Sequence, residues 1–245
     1  MPQPQISVQL WSLRDDTKID FASTIKAVAE MGFQGVETAG WGNLDAAAGV
    51  AAIKAAGLQV SGMHVGILDL RNEFNRVIDE AILCDTKHII CPFWPKAHYR
   101  TAAACRQIGE DLNEIGHRLR HLGFHFHFHN HDGEIALVEG RRVFDWMLDA
   151  SAPQNLGCEA DVYWLKVGGK DPATFICEQG RRISLLHLKD EKEIGSGPVD
   201  FASVFTAAES VDSIEWYVIE VEQYNHAPLE SVRRSLQQLR DWGKA

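Results

Sequence analysis

Four histidines fall at a strict period of two, His125, His127, His129 and His131, with Phe124, Phe126 and Phe128 between them. Elsewhere, short apolar runs end in polar groups: Glu37, His64, then the pairs Glu159/Asp161, His187/Lys189 and Glu220/Glu222. Imidazoles and carboxylates are the ligands of divalent cations such as Mn2+, Mg2+, Co2+ or Zn2+. They are also the groups that move protons near neutral pH. Ionised side chains inside a fold are costly unless paired or metal-bound. One such residue is noise, but several strand ends converging on one rim make a site.

The elements that carry these residues follow a repeated phrase of amphipathic helix, glycine and short apolar run. Helix 24–31 leads through Gly32 into 33–37, helix 46–56 through Gly57 into 58–64, and helix 104–122 through Gly123 into 123–129. Each glycine fits a left-handed helix end, and the run after it fits a buried strand. Eight strands are expected, near 6–11, 33–37, 58–64, 87–92, 123–129, 156–161, 183–189 and 215–221. Asp20, Asp171-Pro172 and Asp200 mark helix starts. Strict alternation implies a parallel sheet with right-handed crossovers. Eight units of ~30 residues close into a (β/α)8 TIM barrel. An open doubly wound sheet is the alternative, but no G-x-G-x-x-G follows the first strand. The expectation is one domain over residues 1–245, with the site at the C-terminal ends of the strands.

Alternate strand residues point inward. Asp161, His187 and Glu220, each ending an apolar strand, are read as functional. His125 is read as a core histidine, and His88, His98, His117 and His121 as surface or helix residues. His127 and Glu159 fit the core and the site equally, and Glu222 fits a rim charge.

The formal net charge of -10 argues against partnership with nucleic acid or an anionic membrane. No apolar run approaches the ~18 residues of a membrane span. The five cysteines, Cys84, Cys91, Cys105, Cys158 and Cys177, form no C-x-x-C pair and no disulfide framework, which suggests a reducing, cytoplasmic setting. Met1-Pro2-Gln3-Pro4-Gln5 has neither the basic nor the apolar region of a leader peptide.

Several segments together resemble the sugar phosphate isomerase/epimerase family, the xylose-isomerase-like TIM barrels. They are Gln9-Leu10-Trp11-Ser12-Leu13-Arg14, Gly35-Val36-Glu37, His129-Asn130-His131-Asp132-Gly133-Glu134, Asp161-Val162-Tyr163-Trp164, Gly168-Gly169-Lys170-Asp171-Pro172, His187-Leu188-Lys189-Asp190 and Glu220-Val221-Glu222. The resemblance covers essentially the whole chain. It implies one divalent metal ion held by Asp161, His187 and Glu220, with either His129 or Glu134 completing the set from strand five. Sugar epimerases of this group usually place a Glu there and move a proton through a cis-enediolate between two carboxylates. With histidine in that stretch, His131, Lys189 and Glu220 are the catalytic candidates. Trp11, Glu37 and His64 are expected to contact substrate, with Trp164 as an apolar wall; packing at the barrel mouth is the other reading of Trp11.

The implied activity is isomerisation or epimerisation of a keto-sugar or related polyol. A lyase or dehydratase of a keto-sugar or keto-inositol is the alternative, since a His/Lys pair also suits elimination. A non-catalytic accessory barrel would have lost the carboxylates, whereas Asp161 and Glu220 are present. Trinuclear-zinc apurinic endonucleases share the general plan, but this chain has Trp164 where they carry a His and Glu191-Lys192-Glu193-Ile194-Gly195 where they carry an Asp-x-His. The fourth strand here ends at Cys91-Pro92. The expected partner is a small-molecule sugar or polyol, and a homo-oligomer is left open.

Overall fold

The computed structural model describes residues 3–245. Met1 and Pro2, part of the stretch read as lacking a leader, lie outside the described residues. Eight strands form a closed barrel: β1 (Gln5–Gln9), β2 (Gly35–Thr38), β3 (Gln59–His64), β4 (His88–Cys91), β5 (His125–His129), β6 (Gly157–Asp161), β7 (Ile183–Lys189) and β8 (Trp216–Glu220). Every neighbouring pair is parallel, each strand lies beside the next in sequence, and β8 closes onto β1. This is the expected (β/α)8 TIM barrel.

Helices follow the predicted rhythm. Asp171 and Asp200 cap helices Pro172–Gln179 and Phe201–Val211 by accepting from Thr174 N and Ser203 N. The first helix begins earlier than expected, at Arg14, and breaks at Asp20, whose side chain caps its second segment through Ser23 N. Gly32, Gly57 and Gly123 all have the positive φ that the helix ends require. A hairpin pairing Leu137–Val138 with Arg141–Arg142 was not foreseen, because two-residue strands leave no periodic signal.

The main core lies between strands and helices. A separate apolar cluster, Ile90, Leu185, Trp216 and Val218, shares the inward strand faces that carry His127, His187 and Glu220. Cys84, Cys91, Cys105 and Cys158 are buried thiols and Cys177 is exposed; all five are free. Among the described residues, no helix is long and apolar enough to cross a membrane.

Candidate metal centre and active site

Register brings the polar residues together. His129 pairs with Glu159, Asp161 with His187, and Lys189 with Glu220. Ladder irregularities fall at Val36/Glu37 and Cys158/Glu159, so two site carboxylates follow directly on bulges, which re-aim side chains. Gly62 leaves room for one of them: a Cβ there would stand 2.9 Å from Glu37 Oε1.

The result is two layers of donors. In the outer layer His129, Asp161, His187 and Glu220 each offer a ligand atom, all within 4.8 Å of one another. His187 Nδ1 lies 3.6 Å from Glu220 Oε2 and 4.0 Å from Asp161 Oδ2. Asp161 uses Oδ1 to cap helix Val162–Val167 through Trp164 N at 2.8 Å, which leaves Oδ2 facing the cluster. Asp161 Oδ2 and His187 Nδ1 are buried and have no hydrogen-bond partner among the described residues.

The inner layer is a net of ion pairs. Glu37 Oε2 accepts from Gln9 Nε2 at 2.7 Å and from His187 Nε2 at 2.8 Å, and stands 3.0 Å from His64 Nε2. Glu159 Oε2 lies 2.8 Å from His64 Nε2, 3.2 Å from His129 Nδ1 and 3.3 Å from His187 Nε2. Glu37 and Glu159 therefore fix the His187 ring through Nε2 and turn Nδ1 towards the outer layer, the usual arrangement behind a metal-binding histidine.

Burial opposes every charge here, and the partners decide the outcome. Desolvation works to lower the His64 pKa, but Glu37 and Glu159 overcome it and push the group up to about 10. The same carboxylates raise His187. His129, buried beside His187, falls to about 3 and stays neutral. Asp161 is pushed up to about 8 by burial, with Glu220 adding repulsion against the pull of Lys189. Burial would raise Glu220, yet Lys189 and His187 hold it well below the usual range. Lys189 is buried and paired with Glu222 at 2.6 Å and Glu220 at 3.6 Å.

The unpartnered ligand atoms and the crowded carboxylates fit a divalent cation. Its binding at His187 Nδ1 would replace a proton there. Mixed nitrogen and oxygen donors suit Mn2+, Co2+, Zn2+ or Mg2+. Above the donors opens a cavity of about 690 Å3, whose polar lining is His64, Lys96, His129, His131, Glu134, Glu220 and Glu222.

The sequence profile of the xylose isomerase-like TIM barrel matches residues 25–242. The chain belongs to this family. No match is found among curated proteins. A sugar phosphate isomerase/epimerase from Parabacteroides distasonis has a similar solved structure, with TM-score 0.87 at 22% identity over 97% of this chain and 98% of that one. An AP endonuclease, family 2, from Brucella melitensis gives 0.77 at 15% over 98% and 99%. The 3-keto-D-glucoside 4-epimerase from E. coli gives 0.69 at 16% over 98% and 100%. At these identities the likeness is one of fold.

Within this xylose isomerase-like barrel the expected residues divide. His129, Asp161, His187 and Glu220 converge. Glu134 does not join them: it accepts from Tyr99 Oη and, at 2.7 Å, from His131 N, which closes the turn into helix Asp132–Ile135. Its place beyond the strand end, on a helix start, gives it that capping role. Trp11 is 45% exposed and lines the cavity, with Arg14 over its ring at 5.2 Å. His64 and His131 also line it, whereas Trp164 stands behind His131 at 5.7 Å between ring centroids. Glu37, expected at the substrate, is instead fully buried against His64 and His187: β2 runs on to Thr38, and it is Ala39 beyond it that lines the cavity.

Two histidine readings are corrected. His88 is a buried strand residue, its Nδ1 3.0 Å from His127 Nε2, and His125 is exposed at the start of β5. His98, His117 and His121 are exposed. Glu159 sits at the centre of the cluster and Glu222 pairs with Lys189. Sequence reasoning gave no role to Gln9, which braces Glu37, or to Asn130, whose Oδ1 accepts from Asp161 N at 3.0 Å. Their only signal was a polar amide at a strand end.

Proposed function

We propose that the chain is a divalent-metal-dependent sugar isomerase or epimerase that moves a proton beside the carbonyl of a keto-sugar or related polyol through an enediolate. The observation that carries this reading is the convergence of His129, Asp161, His187 and Glu220, with Asp161 Oδ2 and His187 Nδ1 buried and unpartnered. A bound cation would supply Lewis acidity, acidifying the C–H beside the carbonyl.

The chain's own groups supply the proton traffic. His131 faces the cavity, and burial lowers its pKa against the opposing pull of Glu220 and Glu222, so its imidazole is neutral and basic at pH 7. Glu220 lines the same cavity as the second proton-transfer group. Lys189, held by Glu220 and Glu222, offers ammonium hydrogens to a developing oxyanion. The fold likeness to a sugar phosphate isomerase/epimerase and to a 3-keto-D-glucoside 4-epimerase supports the substrate class.

The test is direct. Purified protein should carry about one divalent ion per chain, and keto-sugars incubated with it in D2O should take up solvent deuterium at the reacting carbon. Full metal retention by an Asp161→Ala/Glu220→Ala double variant would remove the site. A product lighter by one water would move the assignment to the lyase class.

A further inference from the structure

The cavity is divided by chemistry. Its polar lining comes from β5 and β8 and the turns after them, with His64 of β3 and Lys96 after β4, while Trp11, Ala39, Pro92, Phe93, Trp94 and Pro95, from the turns after β1, β2 and β4, are apolar. Trp11 and Phe93 are 45% and 51% exposed, although large aromatic groups are ordinarily covered. A volume of about 690 Å3 falls mid-range for drug-sized ligands, and a single sugar ring is smaller than that.

An anionic group has no evident place here. Two cations line the cavity among the described residues, and both are paired: His64 with Glu37 and Glu159, and Lys96 with Asp132 at 2.8 Å. Arg14, beside Trp11, donates to Trp11 O and Tyr224 Oη, each at 3.0 Å. Glu134, Glu220 and Glu222 contribute three carboxylates to the same cavity. Bringing a phosphate among them sets like charges together, whereas a neutral ring can lay its apolar face on Trp11 and Phe93.

We propose that this apolar half is a subsite for an uncharged ring joined to the reacting sugar by a glycosidic bond. The substrate is then a glycoside, not a free or phosphorylated monosaccharide. This rests on the sugar reading above and names its substrate class.

Metal-loaded protein would be titrated with non-reacting probes in the gluco and galacto series: the free hexose, its methyl, phenyl and glucosyl β-glycosides, and the hexose 6-phosphate. Saturation-transfer NMR gives the contacts and tryptophan fluorescence the affinities. Phenyl or glucosyl glycosides should bind at least tenfold more tightly than the free hexose, with saturation on the added ring. The larger of the two gains tells an aryl group from a second sugar. Phe93→Ala should cut that gain below threefold; Phe93 is half exposed, so its removal leaves the core intact. Equal binding of hexose and glycosides, tighter binding of the phosphate, or a gain that survives Phe93→Ala overturns the proposal. Deuterium exchange separates the two readings. A glycoside gain without exchange on any keto-sugar keeps the subsite and removes the isomerase, and exchange without a gain does the reverse.

Discussion

The two sides of the barrel mouth are built differently. On the β5–β8 side the strand ends carry His129, Asp161, His187, Lys189 and Glu220, all buried and mutually restrained. The loops behind them are tied down as well: Asp190 accepts from Gly195 N and Gly197 N, and Glu193 from Asn225 N and Ser231 Oγ. On the β1–β4 side, Trp11 and Phe93 stand open and their loops carry few charges facing the cavity. On the proposed function, the difference is a division of labour. Reacting groups need fixed geometry and desolvation, which demand a braced polar wall, while recognition of a neutral ring needs only exposed apolar faces.

The largest effect should come from the braced side. Asp161→Ala/Glu220→Ala should abolish metal binding and lower kcat/KM by about a thousandfold or more, the scale of losing charge stabilisation in a transition state. The measurement is elemental analysis beside steady-state kinetics. Glu37→Ala comes next. It strips Gln9, His64 and His187 of their shared acceptor. Removing one partner of a buried pair costs about 3–5 kcal/mol, so the melting temperature should drop by about 6–20 °C. Metal affinity should fall by about 10- to 100-fold as the His187 ring loses its orientation. Nitrogen-15 spectra of the histidine ring check this independently of activity: an unchanged Nε2–H signal for His187 in the variant would show that Glu37 does not hold it.

How legible each side was in the sequence follows from the same difference. Asp161, His187 and Glu220 announced themselves because a charged group ending an apolar strand contradicts its surroundings. The barrel was legible because helix and strand alternate eight times, and three of the helix ends carry a glycine, Gly32, Gly57 and Gly123, in the left-handed conformation. Glu37 was legible as an inward residue but not as a lower-layer one, since its height depends on a bulge against β3 that no periodicity encodes. His88 and His125 were exchanged because periodicity does not encode cover: they are direct partners on the β4–β5 ladder with stacked rings, and only the packing at that end of the barrel leaves His88 buried and His125 open. Phe93 was not singled out, because an aromatic in a loop reads as ordinary packing until its exposure is seen.

Glu193 tests whether bracing behind the reactive wall matters. Hydrogen bonds from Ser231 and Asn225 outweigh burial and hold its pKa at about 2, below the ordinary 4.5. A carboxylate depressed in the folded state adds stability that is complete above the unfolded pKa and vanishes as pH falls through the folded one. The stability gap between the protein and Glu193→Gln should therefore be full above about pH 4.5, at most about 3 kcal/mol, and close as pH falls towards 2. Denaturant titrations across that range measure it, and a gap independent of pH would assign the effect to packing.

The smallest change is expected from Lys96→Met on the open side. Lys96 and Asp132 form an exposed pair, 63% and 43% accessible, of the kind that contributes about 1 kcal/mol or less. If the substrate is neutral, kcat/KM should stay within about twofold, because the cation at the mouth meets no charge. A loss of tenfold or more, about 1.4 kcal/mol, would mean that Lys96 contacts an anion in the substrate. Recognition would then belong to a charge at the rim of β4, and the contrast between a charged reacting wall and a neutral binding wall would fail.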